Sequence, residues 1–390
     1  MDINFHYYTI KTLATYAGFN AEDAQKIAYY SQQVDDFIMH SPFIIQVEPP
    51  DFFIKNGLAQ KLSTNQWVFA PCTTGVSLLR SFSSAFQQST LMPFHFITPE
   101  RATKRERSHV KNKKNINRAD LRCIAANRKP SLLINALFET INPDDVMALG
   151  MWLHTFADTY AHEGFSGFHG WENASYVQEG LSVAESALFR AMPSIGHANA
   201  GSVPDTCGAA FNVYAKQSEH AAFESLIKRD NTIFFADCAR RILDILCAIN
   251  KKTPYSDVAW QTLRINLEMA QNSSKRVGDM PAAYAQIFPH ITYDYKRDEY
   301  VNIKLELLHH DASLLSHLKL RTDDLHDAYS EESDRVRITT LTRAHVSDDF
   351  FQFNEVAYRH VYAVTGAFNT ASHRTQLASY SHMAETTGKI

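Results

Sequence analysis

Residues 152–162 read WLHTFADTYAH. His154, Asp158 and His162 stand at i, i+4 and i+8, and each four-residue step advances a helix by only about 40° beyond a full turn. On a helix the three side chains therefore form one stripe. The residues between them, Leu153, Phe156, Ala157, Tyr160 and Ala161, are mostly apolar, so the stripe is no ordinary solvent face. Two imidazoles and a carboxylate are costly to bury unless they bond one another or a cation. Histidine nitrogen and aspartate oxygen suit zinc or a similar divalent ion. The plainer alternative is a buried His–Asp hydrogen-bond pair, with His162 as a cation at the helix C-terminus. The third polar residue, a marked helix start and the glycine-rich turn Gly164–Gly170 favour the metal.

That helix is expected over Val146–His162. Asn142 supplies a cap, Pro143 suits the first turn, Asp144 and Asp145 suit the positive dipole end, and Gly164 stops it. Working outward, helices are expected over Thr9–Gly18, over Ala21–Phe37 behind an Asn20 cap, and over Val76–Gln88 and Ser131–Thr140. Helical periodicity returns over 174–191, 208–228, 231–250, 255–272 and 350–364. Residues 41–75 read as loop with short strands, Leu91–Pro99 as an extended segment, 273–345 as mixed and polar, and the tail from Thr370 as fraying. The fold class is mainly α. Two regions are expected, a helical metal-binding core over 1–250 and a mostly helical extension over 251–390.

Composition narrows the function classes. The chain has 390 residues, 45% of them hydrophobic, which is enough to bury a core without staples. Its five cysteines are odd in number, far apart and without a CxxC, which argues against a disulfide framework or a thiolate zinc site and for a reducing compartment. The first residues lack a basic stretch followed by a long apolar one, and no run of 18 apolar residues occurs, so neither a signal peptide nor a membrane span is expected and the location expected is cytoplasmic. A net charge of −4 selects no polyanionic partner. The exception is 101–129, where eleven Lys/Arg stand against two acids. It reads as a solvated basic insertion, or as a rim attracting a phosphate-bearing small molecule or lipid head group. Nucleic acid is disfavoured, since no aromatic interleaving accompanies the charge. Walker A, GxGxxG, GxSxG and HExxH motifs are all missing.

Eighteen histidines justify a wider search for ligands. His197 and Asp205 stand in the Gly/Pro-rich stretch 196–205, which can carry them to the mouth of a helical core. His6 precedes the first helix. Asp35 and Asp36 end the second, where the dipole disfavours carboxylates and invites a cation. His95 lies between two phenylalanines and, taken alone, reads as structural.

Together these residues resemble the zinc-dependent phospholipase C / P1 nuclease superfamily. The stretches FHYYTIKTLA (5–14), SQQVDD (31–36), PFHFITP (93–99), LHTFADTYAHEGFSGFHG (153–170) and GHANAGSVPD (196–205) are also similar to a bacterial family placed near those enzymes. The resemblance covers about residues 1–215. It implies an all-helical core with irregular insertions around one to three zinc ions, other divalent metals being alternatives. By position, His6 matches the first histidine ligand, Asp35 or Asp36 the helix-end aspartate, His95 the intervening histidine, and His154 with Asp158 the HxxxD pair. His162 and His197 match the later histidines. Two features depart from the family. Its amino-terminal ligand has no evident counterpart, and its later HxxxE/D is broken by Gly201, leaving Asp205 as a substitute.

The expected activity is metal-dependent hydrolysis of a phosphoester, phospholipase C-like or nuclease-like, through metal-activated water. Asp158 would bridge ions, and Asp35 or Asp36 would orient the water. Two alternatives stay open, a non-catalytic protein stapled by its metal and a protein-interaction module using 101–129 and the acidic 323–334 region.

Overall fold

The structure, a computed structural model, describes residues 1–39, 42–77, 80–83, 86–97, 122–123, 125–126, 132–170, 173–177, 191–215, 224–273, 276–307 and 342–371. A π-helical turn over Asn4–Thr9 runs into α1 (Ile10–Tyr16). Gly18, at φ +90°, breaks the helix, and Asn20 caps α2 (Ala21–Asp36) by accepting from the Asp23 N–H at 2.9 Å. Then come β1 (Phe43–Ile45), α3 (Asp51–Lys55), β2 (Ala59–Ser63) and β3 (Gln66–Phe69). A second π-helical stretch covers Gln87–His95. Beyond it lie α4 (Leu132–Glu139), α5 (Val146–Ala161), β4 (Ser175–Val177), β5 (Ala210–Ala215) and β6 (Glu224–Asp230). The order continues with α6 (Asn231–Ile249), α7 (Asp257–Ser273), α8 (Met280–Ile287), β7 (Ile303–Leu307), β8 (Thr342–Val346) and α9 (Asp348–Ala371). The chain is mainly helical, with two sheets among the described residues.

Several expectations need correction. The 208–228 stretch is not a helix: β5 and β6 pair antiparallel, from Ala210 opposite Asp230 to Ala215 opposite Glu224. Apolar Phe211, Val213 and Ala215 have a period of two, which the surrounding alanines mask. Within 174–191, Ser175–Val177 is a strand paired with β5, and 178–190 lies outside the described residues. The 91–99 segment is not extended as far as His95, because the π-helical stretch contains Pro93. Proline removes an N–H from the helical ladder and crowds the carbonyl a turn back, and a widened turn accommodates both. The cap of α5 is Asp145, not Asn142. Its carboxylate accepts from the Met147 and Ala148 N–H groups at 3.0 and 3.1 Å, while Asn142 accepts from Asp144 N–H in the turn before. The acidic 323–334 region lies outside the described residues, as does 101–129 except 122–123 and 125–126.

Two compact units emerge, Met1–Val34 with Met92–Tyr295, and Asp35–Leu91 with Lys296–Ile390. The expected boundary at residue 250 falls inside the first unit, between α6 and α7. In the first unit α6 packs against α1, α5 and α7. Helix α5 is apolar on every side but one stripe, and Met147–Ala161 is buried throughout, as befits a central helix. Trp152 donates its indole N–H to the Ile134 carbonyl at 3.2 Å, tying α4 to α5. Gly150 allows α2 to come close: a Cβ there would stand 2.5 Å from the Ile27 carbonyl oxygen.

The second unit holds a mixed sheet of order β2-β3-β1-β8-β7, antiparallel except where β1 meets β8. Phe37, Phe43, Phe53, Phe69, Phe350 and Phe353 are buried in its core. Among the described residues no helix is long and apolar enough to cross a membrane.

Candidate metal centre

Helix α5 presents the predicted stripe to the interior of the first unit. Asp158 is buried, and both its oxygens face nitrogen donors. Oδ1 lies 3.1 Å from His6 Nε2 and beside the Met1 ammonium. Oδ2 lies 3.1 Å from His95 Nδ1, 3.2 Å from His154 Nε2 and 3.5 Å from His162 Nδ1. The His6 and His154 rings stack at 3.9 Å. His6 and His95 both come from π-helical turns, an irregularity that often marks functional sites.

One turn further along, His162 ends α5 as its C-cap. The Gly164–Gly170 turn then carries the chain to the second histidine loop: the Gly196 N–H donates to the Ser166 carbonyl at 3.1 Å and the Gly170 N–H to the Ser194 carbonyl at 3.0 Å. Gly196, at φ +48°, leaves room for Phe96, whose ring a Cβ would meet at 2.5 Å. Phe96 in turn stacks on His162 at 4.3 Å. Two short 3₁₀ turns, Ala198–Ala200 and Val203–Asp205, fold Asp205 back onto His197. Asp205 Oδ1 lies 2.9 Å from His162 Nε2, and Oδ2 lies 3.0 Å from His197 Nε2. The carboxylate that faces His197 is thus Asp205, eight residues further along the loop.

Hydrogen bonds fix which nitrogen of each ring carries the proton. His154 Nδ1 lies 2.9 Å from the Ser31 carbonyl oxygen, His162 Nδ1 2.6 Å from that of His95, and His197 Nδ1 2.8 Å from that of Gly201. A carbonyl can only accept, so each Nδ1–H donates and each Nε2 in a neutral ring keeps its lone pair. Those Nε2 atoms face carboxylates. For His162 a lone pair meets an anionic oxygen at 2.9 Å, an arrangement that a cation stabilises, and the Met1 ammonium lies 3.3 Å from that same oxygen.

Protonation supplies that cation only in part. Burial drives the His6 pKa well below its usual value, with the His154 and amino-terminal charges adding to the shift. His154 falls to about 4, burial outweighing the Asp158 carboxylate that favours its charged form. Burial likewise lowers His162 despite Asp158 and Asp205. His197 is raised, since Asp205 outweighs its burial. Burial alone would raise Asp158 and Asp205. The histidines and the Met1 ammonium reverse this and hold both carboxyls well below the ordinary range. The centre therefore combines two firm anions with mostly neutral imidazoles, the protonation states that metal ligands require.

Among the described residues three groups of donors lie close enough to hold an ion, His6–Asp35–His154, His95–His154–Asp158 and His162–His197–Asp205. The last two differ in access. His95–His154–Asp158 is sealed. In His162–His197–Asp205, His197 and Asp205 keep 17% and 21% of their side-chain surface exposed.

Of the residues singled out by sequence, the structure brings together His6, His95, His154, Asp158, His162, His197 and Asp205. Asp35 and Asp36 are half-buried at the end of α2: Asp35 offers a carboxylate oxygen within 4.8 Å of ligand nitrogens of His6 and His154, and the Asp36 carbonyl accepts from the Arg297 guanidinium. The Met1 ammonium lies beside Asp158 and 3.3 Å from Asp205 Oδ1. A backbone amine carries no motif, so sequence reading could not register it. The backbone acceptors on Ser31, His95 and Gly201 were invisible for the same reason. Arg229, considered below, was missed because it lies in the half of the chain without a recognisable pattern.

No curated protein and no solved structure matches this chain. One family model does, over residues 1–368, and its description is a family of unknown function (DUF6765). The sealed and open donor groups and the helices that carry them all fall within that span, and the chain belongs to this family.

Proposed function

We propose that the first unit is a metal-dependent phosphoester hydrolase of the phospholipase C / P1 nuclease type. The observation that carries this reading is His162. Its Nδ1–H is committed to a backbone carbonyl, its neutral state is favoured by burial, and its Nε2 faces Asp205 at 2.9 Å. A divalent ion reconciles that lone pair with that anion. Zinc fits the N/O donor set, and the carbonyl bonds on Nδ1 are the supporting contacts that zinc-ligating histidines usually make.

His95, His154 and Asp158 would hold one ion, His162, His197 and Asp205 another, with Asp158 linking the two groups and His6 adding a donor. Bound ions would supply Lewis acidity toward a phosphoryl oxygen and lower the pKa of water. The chain's own residues divide the remaining tasks. The sealed group has no room for exchange and acts as a staple, while the open group presents its ion to solvent. Asp205 is the partly exposed carboxylate at that edge. Phe96 and Phe165 pack around His162 and His197 and limit water behind them.

Elemental analysis of purified protein tests the reading first, with at least two divalent ions per chain expected. Turnover of a chromogenic phosphodiester should then fall roughly 100-fold or more in His197→Ala, with the sealed ion retained. A chain without metal, or equal turnover in wild type and Asp158→Ala, would overturn it.

A further inference from the structure

Arg229 is buried at 4% exposure on β6, in the half of the chain where sequence offered no functional signal. Its guanidinium donates to the Tyr160 carbonyl at 2.8 Å, the Ala161 carbonyl at 2.7 Å and the Pro204 carbonyl at 3.2 Å. The rings of Phe211 and Phe234 lie 4.8 and 5.3 Å from it. Two residues on, buried Asn231 donates to the Val203, Pro204 and Thr206 carbonyls at 3.0, 3.3 and 2.8 Å.

The targets matter more than the number of bonds. Tyr160 and Ala161 immediately precede His162, and their carbonyls belong to the negative C-terminal end of α5. Pro204 immediately precedes Asp205. One rigid fork therefore grips the backbone just before each of two ligands that approach to 2.9 Å. A planar guanidinium can bridge two backbone segments at a fixed separation, whereas an ammonium on a flexible stem cannot impose that geometry. Asn231 adds a second grip on the Asp205 loop alone.

We propose that Arg229, backed by Asn231, is the positioning residue of the open metal group: it sets the spacing of His162 and Asp205 and thereby the affinity for the ion held there. The inference rests on the metal reading above. It adds that affinity at the open group depends on a residue that grips the backbone just before each ligand, while the sealed group, built from α5 and the His95 turn, does not depend on it.

The test is cobalt titration of the full chain, followed through the visible absorption of Co²⁺, for wild type, Arg229→Lys, Arg229→Gln, Asn231→Ala and His197→Ala. His197→Ala identifies the step that belongs to the open group. Affinity for that step should fall about 10- to 100-fold in both Arg229 variants and by a smaller factor in Asn231→Ala. The remaining step should move by no more than about twofold, and in the His197→Ala background substituting Arg229 should change nothing further. Near-ultraviolet circular dichroism checks the fold, and if the Arg229 variants do not fold, Asn231→Ala carries the same expectation. Equal losses at both steps would reduce Arg229 to a general structural cap, and no loss at either would overturn the proposal outright. Wild-type protein that takes up no cobalt would instead remove the metal reading beneath it.

Discussion

The sealed and open donor groups share one helix and similar ligands, yet they are held differently. His95, His154 and Asp158 sit between a π-helical turn and the middle of a buried helix. His162, His197 and Asp205 sit where that helix ends and two short loops meet. The first group gets its precision from close-packed regular structure, the second from hydrogen bonds to loop backbone. A site embedded between helices can hold an ion permanently. A site on loops at a helix end can leave a position open for a substrate, and its geometry then depends on supporting contacts.

The largest effect should come from removing what the groups have in common. Asp158→Ala leaves the Met1 ammonium and the imidazoles around it without their shared anion. Stripping a buried charge of its partner costs about 3–5 kcal/mol, which urea unfolding of metal-free protein would measure. Loss of under 1 kcal/mol would mean that the two groups are energetically independent of Asp158.

Acid should unfold the metal-free chain in an order set by the same comparison. His154 titrates at about 4 when folded against 6.5 when unfolded, so between those values the unfolded chain binds more protons and stability falls as pH falls. A shift of that size corresponds to about 3 kcal/mol, fully present above pH 6.5 and lost by about pH 4. His6 and His162, also lowered, act in the same direction. Asp158 and Asp205, held low, add a further loss below about pH 4. His197 is raised and has the opposite sign: its contribution is present below pH 6.5 and is lost as pH rises through its folded value. Unfolding free energy measured against pH should therefore decline on the acid side. A flat profile from pH 7 to 4 would contradict the buried neutral histidines.

Gly150→Ala should produce the smallest effect and the most selective one. The new methyl group would meet the Ile27 carbonyl oxygen and press α2 away from α5, carrying with it the Ser31 carbonyl that fixes His154. Overpacking of this kind costs about 1–3 kcal/mol. Affinity should drop at the sealed group and not at the open one, the reverse of the pattern expected for Arg229. The same cobalt titration reads both.

The sequence conveyed the α5 stripe because period and burial agree there: polar residues four apart on an otherwise apolar helix leave few other readings. It conveyed His197 and Asp205 as a loop pair, though not that Asp205 would face two histidines at once. Other features failed for identifiable reasons. His95 is visible as a residue, but Pro93 and β-branched neighbours suggest extended chain where the structure has a π-helical stretch. The β5–β6 hairpin was hidden by alanines that favour a helical count, and Arg229 was hidden with it. Backbone groups formed the remainder: the Ser31, His95 and Gly201 carbonyls and the Met1 amine depend on where the chain runs, which no residue type encodes.

The π-helical turns carrying His6 and His95 imply an unusual vulnerability. Such a turn is an α-helical turn with one residue to spare, and losing that residue would restore regular winding while swinging everything beyond it by about 100°. A single-codon deletion inside either turn could leave a well-formed helix whose imidazole points the wrong way. Variation among related chains that preserves every histidine but shortens one of these turns would then separate folded proteins with the centre from folded proteins without it.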